Sequence, residues 1–314
     1  MDELGIDTYD IKKLVLSNRN LKSLPDEFSK LEHLEHLVLA FNDFEEVPEC
    51  LKHLKNLKYL CMSDNKLKDI PDFFKDFKYL EYLDITENKF EEFPKNILDI
   101  KPLKILYLSY NKCITTIPDD IDKLENLELI DLTKDSITKV PDSLSNLKNL
   151  EELNIQENNL TEIGKGITEL PNLKNLYIAE NKISHIPTEL KNLKGLRELD
   201  LNVNLIEEIP DFLPDLELEL LYIAHNKLTE FPKCIENMKT LKELDVSEND
   251  IKEIPEFITE LINLELLAMT EISATSLPQD LTNLTKLEQL CVDLPISKLP
   301  DSVISTLTSD HCHV

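Results

Sequence analysis

Apolar residues return along this chain in one fixed order, with two different periods inside each cycle. The stretch Leu57-x-x-Leu60-x-Met62-x-x-Asn65-x-Leu67-x-x-Ile70-Pro71-x-x-Phe74-x-x-Phe77 shows the cycle in full. Leu60 and Met62 are two apart, which puts both side chains on one face of an extended segment, so a short strand is predicted there. Phe74 and Phe77 are three apart, a spacing that suits a short helical or 3-10 turn with its apolar side inward. Between the two, Pro71 lacks an N–H and holds its φ, which ends one segment and starts the next.

The cycle begins again at Ile11, Leu34, Leu57, Leu80, Leu103, Leu127, Leu150, Leu173, Leu196, Leu218, Leu241, Leu264 and Leu287. The step is 23 residues, except for one of 24 (Leu103 to Leu127) and one of 22 (Leu196 to Leu218). About 13 repeats thus fill residues 11–300 with no linker, leaving 1–10 as a lead-in and 301–314 as a tail that forms a partial cap. Each repeat brings about seven apolar side chains inward. Their burial does not offset the backbone entropy of ordering a whole repeat, so a lone repeat does not fold and stability comes from stacking on neighbours.

The ninth position carries Asn42, Asn65, Asn88, Asn111, Asn158, Asn181, Asn204, Asn226 and Asn249. A buried amide has donors and an acceptor with which to satisfy the main chain where it leaves the strand, so a ladder of amides is predicted. Arg19, Asp135, Ile272 and Pro295 break it. Asp135 does so mid-array after the 24-residue repeat, and a local distortion is expected near 111–137. Gly164 stands where proline is usual and is expected to loosen that outer turn.

The motif L-x-x-L-x-L-x-x-N-x-L with a proline-containing second half resembles the leucine-rich repeat. Leu80-Glu-Tyr-Leu-Asp-Ile-Thr-Glu-Asn-Lys-Phe-Glu-Glu-Phe-Pro is similar to repeats of the Ras-binding and Ras-suppressor scaffolds and of the erbin and scribble group. The resemblance implies an α/β solenoid: a curved horseshoe with a parallel β-sheet on the concave face and short helical or 3-10 turns on the convex face. It also implies a scaffold or regulatory role in signalling, and the first function class expected is a cytoplasmic adaptor, a monomer binding a small GTPase, phosphatase or kinase. Bacterial proteins of similar class match as well. The shared motif consists of core positions and does not name the partner.

With the fourth and sixth positions in the core, the third, fifth, seventh and eighth are expected to face out of the sheet, over a wall on the order of 58 Å. Early repeats present His36, Val38, Phe41, Tyr59, Cys61, Tyr82, Ile105, Tyr107, Tyr110 and Leu129 there. Such an apolar and aromatic patch on neighbouring strands marks an interface. Acidic groups follow at Asp84, Asp131, Glu152, Glu157, Glu180, Asp200, Glu243, Asp245 and Glu248, with Tyr177, Tyr222 and His225 among them. Lys66, Lys89, Lys112, Lys182 and Lys227 form a basic rim at the tenth position. Against this stands a simpler reading, in which cross-strand aromatics stabilise the sheet and acidic groups keep it soluble.

Charge narrows the partner. Lys and Arg total 34 against 61 Asp and Glu, a net charge of -27, which repels nucleic acid and anionic lipid and attracts a basic, partly apolar protein surface. The start of the chain has no basic segment followed by an apolar run, and no stretch is apolar enough to span a bilayer, so membrane insertion is not expected. Six cysteines stand far apart and read as reduced thiols. Four glycines form no phosphate-binding loop, zinc motifs are missing, and His311-Cys312-His313 reads as a terminus rather than a metal site. No cofactor and no catalysis are expected. The alternative is a secreted or surface recognition protein, microbial in origin, which glycan found at the sequons of Asn159 or Asn283 would favour.

Overall fold

The structure, a computed structural model, describes residues 11–295, 299 and 301. The lead-in and nearly all of the tail lie outside the described residues. The chain divides into two compact units, residues 1–158 and 159–314. In the first, seven strands run in chain order: β1 (Lys13–Val15), β2 (His36–Val38), β3 (Tyr59–Cys61), β4 (Tyr82–Asp84), β5 (Ile105–Tyr107), β6 (Leu129–Asp131) and β7 (Glu152–Asn154). Each pairs in parallel with the next, and the register joins equivalent positions of successive repeats, such as Tyr59 with Tyr82 and Leu60 with Leu83. The second unit holds β8 (Asn175–Tyr177), β9 (Glu198–Asp200), β10 (Leu220–Tyr222), β11 (Glu243–Asp245), β12 (Leu266–Met269) and β13 (Gln289–Val292), paired the same way. The leucine-rich-repeat solenoid expected from the motif is the observed fold.

Leu57, Leu60, Met62, Leu67, Ile70, Phe74 and Phe77 are all buried, so the core is the set of positions that define the cycle. Pro71 opens the outer turn at Asp72–Asp76, where its carbonyl accepts the Phe74 N–H at 3.1 Å. The same proline-led 3-10 turn recurs at Asp26–Lys30, Glu49–His53, Lys95–Asp99 and Asp142–Asn146 in the first unit, and at Thr188–Asn192, Lys233–Asn237 and Glu256–Glu260 in the second. After Gly164 the turn becomes a single α-helical one, Lys165–Thr168. The short ninth repeat closes through Glu217, which adopts a left-handed conformation at the end of Leu213–Leu216.

The amide ladder is present. Asn65 Nδ2 donates to the carbonyls of Leu39, Met62 and Ser63 at 3.0–3.1 Å, and its Oδ1 accepts the Phe44 N–H at 3.1 Å. One side chain therefore ties its own strand exit to that of the preceding repeat. Asn42, Asn158, Asn204 and Asn249 repeat the pattern. Asp135 keeps half of it: Oδ1 accepts the Asn111 N–H at 2.8 Å, while Oδ2 is buried without a partner. The expected distortion lies just upstream, where a turn at 112–113 absorbs the extra residue and Ile114 N–H bonds to the Asn111 carbonyl at 3.0 Å.

At the entry to the strands, the second position of the first unit alternates in sign through Lys12, Glu35, Lys58, Glu81 and Lys104. Glu35 accepts from Lys12 at 3.0 Å and from Lys58 at 2.6 Å, and Glu81 meets Lys104 at 3.2 Å. Hydrogen bonds from Lys58 and Lys12 hold the Glu35 carboxyl down at about 2.

Candidate interaction face

In the first unit the third position forms a row across the sheet, Lys13, His36, Tyr59, Tyr82, Ile105, Leu129 and Glu152. Parallel strands stand about 4.8 Å apart, close to the thickness of stacked rings, so aromatic residues at one position stack without leaving good rotamers. His36 lies 5.6 Å from Tyr59, and Tyr59 lies 4.0 Å from Tyr82 with the rings 12° from parallel. Tyr107 joins from the fifth position of β5, tilted at 5.6 Å from Tyr82. Burial in this stack raises the phenols of Tyr82 and Tyr107 above their ordinary range, with Tyr59 adding to the first and Glu152, Asp131 and Asp84 to the second. The five residues His36, Tyr59, Tyr82, Ile105 and Leu129 are half-buried and form one continuous apolar strip.

The fifth position runs beside it as Val15, Val38, Cys61, Asp84, Tyr107, Asp131 and Asn154. Val15 is 52% exposed, so apolar surface continues on this row. Cys61 corrects the expectation that every residue here meets solvent. It is only 6% exposed, because Asp84 and Ser63 close over it with Sγ contacts of 3.2 and 3.3 Å. Burial pushes its thiol up to about 11. The aspartates of this row also have a local task unseen in the sequence: Asp84 and Asp131 accept the N–H two residues on, at 3.1 and 2.9 Å, and so hold the strand exit. Asp84 thus uses Oδ1 for its strand exit and Oδ2 for the Cys61 thiol.

The eighth position faces outward by leaving the strand conformation: Phe41, Tyr110, Glu157, Glu180 and His225 all have φ between 51° and 62°, in the left-handed region. Asn18, Asp64, Glu87, Lys134, Val203, Glu248 and Glu271 do the same in their repeats. Turning here aims the following asparagine inward and throws the eighth side chain outward. Phe41 is accordingly 58% exposed and Tyr110 39%. Lys134 sits over the Tyr110 ring at 5.3 Å and pairs with Glu157 at 2.5 Å. Asp64 is held above the ordinary carboxylate range by burial and by the charges of Glu87 and Asp84. Of the rim lysines, Lys66 bonds to Asp43 at 2.5 Å and Lys182 to Asn159 at 2.7 Å, each within its own edge.

The sheet face of the second unit is different in kind. Its fifth position alternates Tyr177, Asp200, Tyr222 and Asp245, and its third position places Glu198 on β9, next to the strand of Tyr177, and Glu243 on β11, next to the strand of Tyr222. Tyr177 donates to Glu198 at 2.8 Å and Tyr222 to Glu243 at 2.6 Å. His225 lies 2.7 Å from Glu248. Asp200 accepts the Asn202 N–H at 3.0 Å, while burial, reinforced by Glu198, Asp245 and Glu180, raises its carboxyl to about 6. Among the described residues no group of three or more His, Cys, Asp or Glu is placed to hold a metal ion, and no helix is long and apolar enough to cross a membrane.

Residues 49–157 and 95–211 match a family model described as a leucine-rich repeat region, and residues 9–67 match one described as a leucine rich repeat. The chain belongs to the leucine-rich-repeat family. A leucine-rich-repeat protein of Leptospira interrogans is similar over 91% of this chain and 73% of its own, at 30% identity and a TM-score of 0.85. The ectodomain of a plant membrane receptor kinase from Arabidopsis thaliana, solved in complex with Casparian strip integrity factor 2, is 28% identical with a TM-score of 0.69. That match covers 90% of this chain and 38% of the receptor chain. An internalin of Listeria monocytogenes, at 22% identity over 92% of this chain and 88% of its own, shares the fold with a TM-score of 0.70. No curated protein matches the chain. The leucine-rich-repeat fold supports a protein-interaction module; neither the proline-containing intracellular class nor the likeness to Ras-suppressor and erbin proteins is established by these matches.

Proposed function

We propose that the chain is a non-catalytic protein-binding module that docks a basic, partly apolar partner on the sheet face of its first unit. The observation that carries this reading is the continuous apolar strip from His36 to Leu129, edged by Val15, Phe41 and Tyr110 and flanked by acidic groups. Ring stacking alone accounts for Tyr59 and Tyr82. It does not account for Ile105 and Leu129 on the next two strands, or for Phe41 and Val15 more than half exposed. Exposed apolar surface bordered by charge is the composition of an interface centre and its rim.

A cytoplasmic adaptor monomer, with a signalling protein such as a small GTPase, phosphatase or kinase as partner, fits the separated thiols, of which Cys50, Cys61 and Cys234 are buried in different repeats. A secreted or surface recognition protein is the second reading. It draws on the similarity to a receptor ectodomain and to an internalin. Secretion from the native host, or glycan on the exposed Asn283, selects the second over the first.

The docking reading is tested by affinity purification from native extract with the intact chain and with Tyr59, Tyr82 and Tyr107 all changed to Ala. Interface centres lose 2 kcal/mol or more when such anchors are removed, so recovery of the partner is expected to fall at least about thirtyfold. Equal recovery by both proteins, with the variant folded by circular dichroism, places the interface elsewhere.

A further inference from the structure

The strip constrains the shape of what covers it. Every strand there is hydrogen-bonded on both sides, so the face offers side chains and no free main-chain groups. A partner lying on it as extended chain leaves its own N–H and C=O groups facing apolar rings without partners, which costs free energy at each one. A helix arrives with its main chain already satisfied.

Spacing points the same way. Successive rungs of the strip are about 4.8 Å apart. A helix laid across the strands presents one apolar group per turn of about 5.4 Å. An extended chain presents one per about 6.7 Å on a given face and falls out of step after a single rung. From His36 to Leu129 is four rungs, about 19 Å, which about 13 helical residues cover.

Charge is distributed unequally on the two sides of the strip. On the strand-entry side, Lys12, Glu35, Lys58, Glu81 and Lys104 alternate and neutralise one another. On the strand-exit side stand the four carboxylates Asp64, Asp84, Glu87 and Asp131, of which Asp84 and Asp131 each use Oδ1 to hold a strand exit and Asp84 Oδ2 accepts the Cys61 thiol. Burial and the neighbouring Glu87 and Asp84 disfavour the charged form of Asp64, and a cation placed among these carboxylates relieves the repulsive part.

Resting on the docking reading above, we propose that the occupant of the strip is an amphipathic α-helix of the partner. It lies across β2–β6 with its apolar stripe on His36, Tyr59, Tyr82, Ile105 and Leu129 and basic residues along one flank, over Asp84, Asp131, Asp64 and Glu87.

The test uses three synthetic 14-residue peptides, measured by fluorescence anisotropy against the full chain at 0.15 M salt. The first has leucines at helical spacing with lysine and arginine along one flank. The second is its scramble, and the third exchanges a central residue for proline. The helical peptide is expected to bind at least about tenfold tighter than either control, and to weaken about tenfold on the Asp84→Asn, Asp131→Asn double variant. That variant keeps the Oδ1 acceptors of both strand exits and loses only the Oδ2 acceptor of the Cys61 thiol, and thermal unfolding verifies that it folds. Equal binding of the scramble or the proline peptide, or no binding of the helical peptide below about 1 mM, overturns the helix. If the helix fails while the tyrosine variant still loses its partner, the docking face stands. If the tyrosine variant also keeps its partner, both readings fall.

Discussion

Asp135 shows how much one atom matters in a ladder of amides. Where the neighbouring repeats place an Nδ2 that donates to main-chain carbonyls, this repeat places an Oδ2 with no donor, and burial raises the carboxyl to about 8. The unfolded chain releases that proton near 3.8, while the folded chain keeps it until about pH 8. The folded state thus binds the extra proton across that window, and stability falls as pH rises through it. Asp135→Asn restores the donor and removes the proton. It is expected to raise stability at pH 7 by about 1–3 kcal/mol in urea unfolding, with the gain shrinking towards pH 4. A gain that is the same at both pH values refutes this account. Left-handed residues are the other feature at this scale. Asn18 belongs to a type that visits that conformation readily; Phe41, Tyr110 and Val203 do not, and nothing in their own chemistry announces it. The signal was one residue further on, in asparagines whose inward amides require the chain to turn just before them.

At the scale of elements, period and punctuation were enough to read the architecture. Alternation of two placed the strands, spacing of three placed the outer turns, and the prolines marked where each turn begins. The candidate face was legible as far as which positions point outward, because a period of two decides that. What neighbouring strands do to those side chains was not. The cover over Cys61, the strand-exit bonds of Asp84 and Asp131, and the Tyr222–Glu243 pair join residues of different repeats or depend on main-chain geometry that side-chain pattern does not encode. Gly164 was expected to loosen its turn, and there the turn is a single α-helical one. Its φ of -80° is open to any residue, and a Cβ added there meets nothing within 4 Å. Gly164→Ala is therefore expected to stabilise by about 0.4–1 kcal/mol through the unfolded state. Unchanged or lower stability in chemical denaturation counts against an unstrained site.

For the chain taken whole, the carboxylates set an acid-side optimum. Asp135 at about 8, Asp200 at about 6 and Asp64 are all raised on folding, so each adds stability as pH falls through its folded value towards about 4. Glu35 at about 2, together with Asp43, is lowered, and that contribution is lost as pH drops from 4.5 towards 2. The net charge of -27 pushes in the same direction as the first group, since protonation relieves self-repulsion. Thermal unfolding from pH 3 to 9 is expected to show a maximum Tm near pH 4–5. Adding 0.5 M NaCl is expected to raise Tm more at pH 8 than at pH 5. A maximum above pH 7 excludes the carboxylates as its origin.

The alternating charges at the strand entries bear on assembly. Coils this alike can stack in the wrong order, and nothing in their leucines forbids a coil from skipping its neighbour and settling on the one beyond. Lys12, Glu35, Lys58, Glu81 and Lys104 make that error self-announcing: omit one coil and lysine meets lysine, or glutamate meets glutamate. Each pair is weak on its own, yet together they act as a parity check on the order in which the polypeptide is wound.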